Sequence, residues 1–519
     1  MSAPAQGAAA PVPLQGASLV LGTVALSLAV FMNVLDSSIA NVSIPAISGD
    51  LGVSPQQGTW VITSFAVSNA ISVPLTGWLT TRFGQVRLFV TSIILFVLAS
   101  FLCGVAPSIE ILIAARVLQG AVAGPMIPLS QSLLLGSYPP AKSGMALAFW
   151  GMTVLVAPIL GPLLGGWISD NYTWPWIFYI NIPIGLFAAW MTWITYHTRE
   201  SKTVKLPIDM VGLVLLVVWV GCLQVMLDKG KELDWFNSGT IVILGCVSLV
   251  AFIYFIIWEL GDKHPVVDLS LFAGRNFSGG VIAISVAYGL VFGSLVILPL
   301  WLQTQLSYTA TQAGMVMAPV GILAVFLTPF VGKLLAKIDA RFLATGAFLI
   351  FAMIFQMRSK FTPEVDYATL MLPTVIQGAA MAMFFIPLTS IILSGLQPSR
   401  IPAAAGLSNF VRIMFGGMGT SIISTLWDNR STLHHARLAE HSGSMNPAFT
   451  QAMNGLMAQG LSEPAALAVL ERNLTIEAST LGATDIFHLS AILFIVLIAL
   501  VWITKRARAA GGAAASGAH

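Results

Sequence analysis

Charge is scarce in this chain. Of its 519 residues only 9% are Asp, Glu, Lys or Arg, while 57% are hydrophobic. Soluble domains carry about 25% charged residues, so an ordinary water-exposed surface is excluded. The mean hydropathy of +0.87 agrees. Cysteine is nearly absent: Cys103, Cys222 and Cys246 each sit inside an apolar run without metal-ligand spacing, which argues against a disulfide framework. No G-x4-G-K-[ST] phosphate loop occurs, and no soluble stretch is large enough to bind nucleotide. Ser/His/Asp, paired-carboxylate and metal-binding constellations are also lacking, and His434, His435 and His441 complete no ligand set. The expectation is therefore no enzyme, no metal, no cofactor and no nucleic-acid partner. The opening "MSAPAQGAAAPVPLQG" lacks a basic n-region, so the first apolar run is expected to be retained in the membrane.

What remains is apolar sequence in lengths that suit a bilayer. A spanning helix needs about 20 mostly apolar residues. Runs that qualify lie near 17–40, 59–80, 88–106, 110–134, 144–169, 176–195, 208–227 and 239–259, then near 278–303, 312–335, 341–357, 368–395, 402–427 and 485–504. With the N-terminus inside, the connections on the inner side hold most of the basic residues, among them Arg82, Arg87, Lys142, Arg199, Lys333, Lys337, Arg341, Arg400 and Lys505. The other side receives Lys229, Lys231, Arg358, Lys360, Arg430, Arg437 and Arg472. That asymmetry fits the positive-inside rule and predicts 14 transmembrane helices with both termini cytoplasmic.

The chain also repeats itself. "VPLTGWLTTRFGQVRLF" from Val73 resembles "TPFVGKLLAKIDARFL" from Thr328, which aligns Pro74 with Pro329 and Gly77 with Gly332. "RVLQGAVAGPMIPL" from Arg116 matches "TVIQGAAMAMFFIPL" from Thr374 at nearly the same offset. The expected fold is an all-α polytopic membrane protein of two six-helix bundles with pseudo-two-fold symmetry plus two inserted helices. Its segments are a disordered cytoplasmic N-terminus (1–16), the first bundle (17–200), the inserted spans (201–265), the second bundle (266–504) with an outer loop at 428–484, and a tail (505–519). Repeated halves around a central cavity suit alternating access. In the outer loop, "LSEPAALAVLERNL" predicts a helix capped by Ser462 with Pro464 in its first turn.

One charge stands out. Asp36, in "FMNVLDSSIANVSIP", follows an apolar run, and a carboxylate inside a span is unfavourable by about 2.5–3.5 kcal/mol. Two roles fit it: a proton site, or an acid that ties the first span to a neighbour. Arg116, in the first turns of the fourth span, must find a carboxylate, backbone oxygens or water. Arg412 lies well inside the thirteenth span and fits either a structural ion pair or contact with anionic substrates. Asn41, Gln119 and Gln377 are amides in apolar spans. Met381, Phe384 and Phe385 crowd the twelfth span beside Gln377, as either pocket lining or packing.

These stretches resemble the signatures of the major facilitator superfamily. "GWLTTRFGQVR" is similar to its loop between spans two and three, with Gly77, Arg82, Gly84 and Arg87, although Thr81 stands where the family carries Asp. "RVLQGAVAG", with Gly120 and Gly124, resembles the fourth-span motif. "APILGPLLGG", holding Pro158, Gly161, Pro162, Gly165 and Gly166, resembles the fifth-span motif of drug/proton antiporters. "LDSSIANVSIP" and "WPWIFYINIPIG" are similar to segments of the fourteen-span antiporters in particular. The resemblance implies export of amphipathic or hydrophobic drugs across the inner membrane, driven by the proton gradient, with Asp36 and Arg116 on the proton route. It also implies a conformational role for the loop, fourth-span and fifth-span motifs, and partners in a periplasmic adaptor and an outer-membrane channel. A dedicated exporter of an endogenous metabolite, siderophore or lipid is the alternative.

Overall fold

The computed structural model describes residues 13–506 apart from 140–141, 205–206, 208, 263–264, 309 and 441–445. Most of the two expected terminal tails falls outside the described residues. All regular structure among the described residues is helical, as lipid demands of a backbone that must satisfy its own polar groups. The first series comprises α1 (Gly16–Asp50), α2 (Trp60–Phe83), α3 (Gln85–Gly104), α4 (Ile109–Ser137), α5 (Ser143–Asn171) and α6 (Trp176–Arg199). Then come α7 (Met210–Lys229) and α8 (Gly239–Gly261). The second series is α9 (Arg275–Thr304), α10 (Gln312–Leu334), α11 (Ala340–Arg358), α12 (Tyr367–Leu393), α13 (Ile401–Glu440) and α14 (Glu463–Ile503). Among the described residues 12 of these helices are long and apolar enough to cross a membrane; α5 and α13 continue the same series.

The internal repeat is visible in the packing. In the first series α1 lies against α5 and α6, α2 against α4, and α3 against α4 and α6. In the second, α9 lies against α13 and α14, α10 against α12, and α11 against α12 and α14. The two sets of pairs are equivalent, helix for helix. The inserted α7 and α8 pack chiefly on each other and are the least buried spans. They touch both series: Asp228 on α7 accepts a hydrogen bond from Thr63 on α2 at 2.5 Å, and Ser421 on α13 donates to the Leu227 carbonyl at 2.8 Å.

The segment expected as an outer loop at 428–484 is largely helix. α13 runs on to Glu440, a short helix follows at Pro447–Ala458, and α14 begins at Glu463 behind Ser462, with Pro464 in its first turn as the sequence predicts. At 1.5 Å per residue, α14 is about 60 Å long, roughly twice the hydrocarbon thickness. Its first turns therefore project beyond the bilayer beside the end of α13. His434 and His435 bond there to Asp485 and Glu471, each at 2.8 Å.

The two series meet at the face that carries the basic connections. A Cβ on Gly77 would lie 2.6 Å from the Ala403 Cβ, and one on Gly332 would lie 2.8 Å from the Gly144 carbonyl oxygen. Gly77 and Gly332 are repeat counterparts, so the latch between the halves is itself two-fold. Only glycine permits this approach of backbones. Behind the latch, Gly84 turns at φ +89°, and Glu200 accepts the backbone N–H groups of Val86 at 3.0 Å and Arg87 at 2.8 Å. A carboxylate beyond α6 thus caps the start of α3, near the loop in which Thr81 replaces the family's Asp. Arg82 lies over the Trp78 and Phe83 rings.

The latch makes a prediction. Gly77→Leu should push α13 away and expose Ala148, now 2% exposed against Gly332. An Ala148→Cys reporter should then react several-fold faster with an impermeant maleimide in membrane vesicles opened at the basic face. An unchanged rate would show that these glycines do not hold the halves together.

Candidate functional site

α1 does not end by Ala40; it continues to Asp50, and Asp36 is 0% exposed. Its carboxylate is gripped from three sides. Arg116 Nη1 donates to Oδ2 at 2.5 Å, Asn181 Nδ2 to Oδ1 at 2.7 Å, and Gln119 Nε2 to Oδ1 at 3.1 Å. Arg116 also donates through Nε to the Val61 carbonyl at 3.0 Å and through Nη1 to Gln119 Oε1 at 2.7 Å. Ser100 Oγ accepts from Gln119 and Asn181 at 2.7 and 3.1 Å. The cluster draws on α1, α2, α3, α4 and α6, five of the six helices of the first series.

Local sequence explains how they converge. Gly120 and Gly124 on α4 leave no room for a side chain against Phe65, Asn69 and Ser72 of α2, so the two helices approach closely. That approach sets the Phe65 ring 4.2 Å from the Arg116 guanidinium, with Phe178 at 5.6 Å on the other side. Aromatic walls exclude water and strengthen the charge interaction inside them. The remaining helix of the series, α5, joins within the same turn of α1: a Cβ on Gly161 would lie 2.8 Å from the Ser38 Cβ, and one on Gly165 2.8 Å from the Ile39 carbonyl oxygen. α5 itself runs unbroken through Pro158 and Pro162.

The second series holds a counterpart without an acid. Gln377, the repeat partner of Gln119, accepts from Arg358 Nη2 at 2.7 Å, and Thr374, the partner of Arg116, accepts from the same nitrogen at 3.3 Å. The charge distribution had placed Arg358 in an outer connection; it is the last residue of α11 and fully buried. Its Nε and Nη1 have no hydrogen-bond partner among the described residues. Of the two equivalent clusters, the one in the first series contains a carboxylate and the one in the second does not, among the described residues.

Arg412 lies between the halves. Its guanidinium faces the rings of Tyr288 at 5.2 Å, Phe385 at 5.4 Å and Trp150 at 5.8 Å, and Nη2 donates to Asn409 at 2.6 Å. Asn409 in turn donates across the interface to Gln131 on α4 at 3.3 Å. Of the residues expected to line a cavity, Phe385 and Arg412 meet here. Met381 and Phe384 are buried in the second series, Phe384 against Phe348 and Phe351. Gln119 and Gln377 belong to the two polar clusters, and the side chain of Asn41 lies outside the described residues. Sequence reasoning missed Asn181 and Ser100. Asn181 had a signal, an amide in the apolar run "FYINIPIG"; Ser100 had none.

Paired helix bundles, a two-fold glycine latch and a buried acid–guanidinium pair define a membrane transporter rather than an enzyme. The profile of the Major Facilitator Superfamily matches residues 26–420, and the chain belongs to that family. It is 53% identical over 508 residues to Multidrug export protein EmrB of Escherichia coli (strain K12), covering 98% of this chain and 99% of that one. It is 52% identical over 500 residues to Fatty acid resistance protein FarB of Neisseria gonorrhoeae, covering 96% and 99%. The human organic anion transporter MFSD10 (TETRAN) shares the fold, with a TM-score of 0.56 at 13% identity over 94% of this chain and 100% of that one.

The ion pair predicts an order of stabilities. Arg116→Met strands a buried carboxylate and should cost about 3–5 kcal/mol. The double variant Asp36→Asn/Arg116→Met should cost less than the two single changes summed. Arg358→Met, which strands no acid, should cost less than Arg116→Met. Denaturant unfolding of the purified protein checks all three, and the reverse order for Arg358 and Arg116 would contradict the assignment.

Proposed function

We propose that this chain is a proton-coupled antiporter that exports amphipathic or hydrophobic drugs and toxic compounds across the inner membrane by alternating access. The observation that carries the reading is the buried carboxylate of Asp36 at the joint of five helices. Protonating Asp36 removes the charge that holds Arg116 to α1 and leaves the amide donors of Gln119 and Asn181 without their anion. Because Gly161 and Gly165 clasp α1 at Ser38 and Ile39, a change at Asp36 bears directly on α5, which also forms the latch through Gly144 and Ala148. Proton and substrate then favour opposite states of one equilibrium, which is what antiport requires.

With the basic face in the cytoplasm, the closed latch makes this the state shut to the cytoplasm. Fourteen spans with both termini cytoplasmic fit that orientation. The projecting ends of α13 and α14, with the helix Pro447–Ala458 between them, then reach into the periplasm, where an adaptor protein that leads to an outer-membrane channel would dock. No bound cofactor is needed, since the proton gradient supplies the energy.

Substrate is placed at Arg412, between the halves. Its aromatic surround and uncompensated guanidinium suit an amphiphile that carries an acidic group. The name of the Neisseria relative, a fatty acid resistance protein, supports that chemistry and keeps a dedicated lipid exporter as the second reading. Competition among chemically unrelated compounds separates the two.

In proteoliposomes with an imposed pH gradient, Asp36→Asn should lower gradient-driven transport at least tenfold while substrate binding persists. Coupling retained in that variant would refute the role of Asp36. Arg412→Met should raise the KM of an acidic amphiphile about tenfold and leave a neutral one little changed. An equal effect on both would remove Arg412 from substrate recognition.

A further inference from the structure

A second buried acid takes no part in the transport scheme above. Glu259 stands in the last turn of α8, which ends at Gly261, and is 3% exposed. Its Oε2 accepts the backbone N–H of Val267 at 3.2 Å. Its Oε1 is buried without a hydrogen-bond partner among the described residues. Asp209, the cap of α7, sits beside it: a Cβ on Gly212 would meet Asp209 Oδ2 and lie 2.6 Å from Glu259 Oε1. Two carboxyl oxygens from helices fifty residues apart in the chain thus crowd the same spot.

The two acids are not equally provided for. Asp209 accepts the Gly212 N–H at 2.9 Å and the Trp258 indole N–H at 3.0 Å, so its charge is held by donors. An ionised Glu259 would meet three penalties. Burial strips its water, the negative end of the α8 dipole lies beside it, and the charged groups that act on it among the described residues, Asp209 and Asp262, carry its own sign. Lys263 and His264, the next basic residues in the chain, lie outside the described residues. A proton on Oε1 removes all three penalties and turns that oxygen into a donor facing Asp209 Oδ2. It also needs no cavity.

We propose that Glu259 and Asp209 form a second proton-binding site, at the basic end of the inserted helices, in which Glu259 carries the proton, Asp209 stays ionised, and the proton helps to hold the latch closed. The path to the latch is short. Val267, docked on Glu259, precedes Asp268, which holds Arg400 at 2.6 Å just ahead of α13. Ser270 Oγ accepts from the same guanidinium at 2.7 Å. Three residues on, Ala403 meets Gly77. Docking on a neutral Glu259 therefore anchors the start of the latch helix. Once undocked, the carboxyl meets water and loses its proton more readily. The docked arrangement is thus favoured in acid and weakens as the pH rises. With the basic face in the cytoplasm, an acid cytoplasm would keep that side shut and limit further proton entry. That use rests on the antiporter reading; the proton site does not.

The test is infrared difference spectroscopy of the full chain in liposomes, with the pH stepped across the neutral range. The wild-type chain should show the C=O stretch of a carboxylic acid that fades as the pH rises and is missing from Glu259→Gln. Asp209→Asn, which removes the facing charge, should shift its loss to lower pH, and identifies the band if the first variant does not fold. Spectra identical in wild type and Glu259→Gln would show Glu259 ionised throughout and overturn the site. The link to the latch is read with the Ala148→Cys reporter, compared with and without Glu259→Gln at each pH so that the titration of the thiol itself cancels. Without Glu259→Gln the reporter should react several-fold faster in alkali and equally fast in acid. Equal rates at every pH would overturn the link. Neither readout needs transport, so failure here leaves the antiporter reading standing.

Discussion

A carboxylate and a guanidinium buried together in a bilayer protein hold each other in place. Asp36 and Arg116 are both 0% exposed and 2.5 Å apart, and neither charge is tolerable there alone. Everything that lets them meet is arranged around that demand. Gly120 and Gly124 bring α2 close enough for Val61 and Phe65 to serve the guanidinium, and Asn181 reaches in from α6 to complete the carboxylate. The pair is therefore a joint on which five helices converge.

The rest of the molecule gives that joint something to move. The latch glycines Gly77 and Gly332 occupy equivalent places in the two repeats, so the halves close on each other symmetrically. The chemistry is not symmetric. The second series keeps the glutamine of the fourth-span motif as Gln377 and brings in a guanidinium from α11, but that cluster holds no acid among the described residues. The inserted α7 and α8 stand outside this scheme and join it through Asp228 and Ser421 at the end away from the latch, and through Trp219 against Phe410.

Much of this was legible in the sequence. Apolar runs of bilayer length gave the helices, and the Pro74/Pro329 and Gln119/Gln377 matches gave the repeat that the packing reproduces. Asp36 and Arg116 stood out because charge in a span demands a partner. What the sequence did not show follows from how such partners are chosen. Ser100 accepts two hydrogen bonds in the cluster, but serine is common in apolar helices and signals nothing. Arg358 looked like a loop residue because its place at a helix end says nothing of what covers it. The stretch 428–484 read as an outer loop with one helix behind Ser462, whereas polar sequence beyond a membrane is free to continue the flanking helices into water. Glu200 caps the start of α3 from a segment more than a hundred residues away, a contact visible only once the chain is folded.

The central claim is that Asp36 exchanges its proton as substrate binds. Proton release can be followed directly, by adding a saturating substrate to the purified protein in weakly buffered solution and reading the pH change. The account predicts release from the wild-type chain and none from Asp36→Asn at equal substrate occupancy. Equal release from both would place the coupling proton elsewhere and contradict the account.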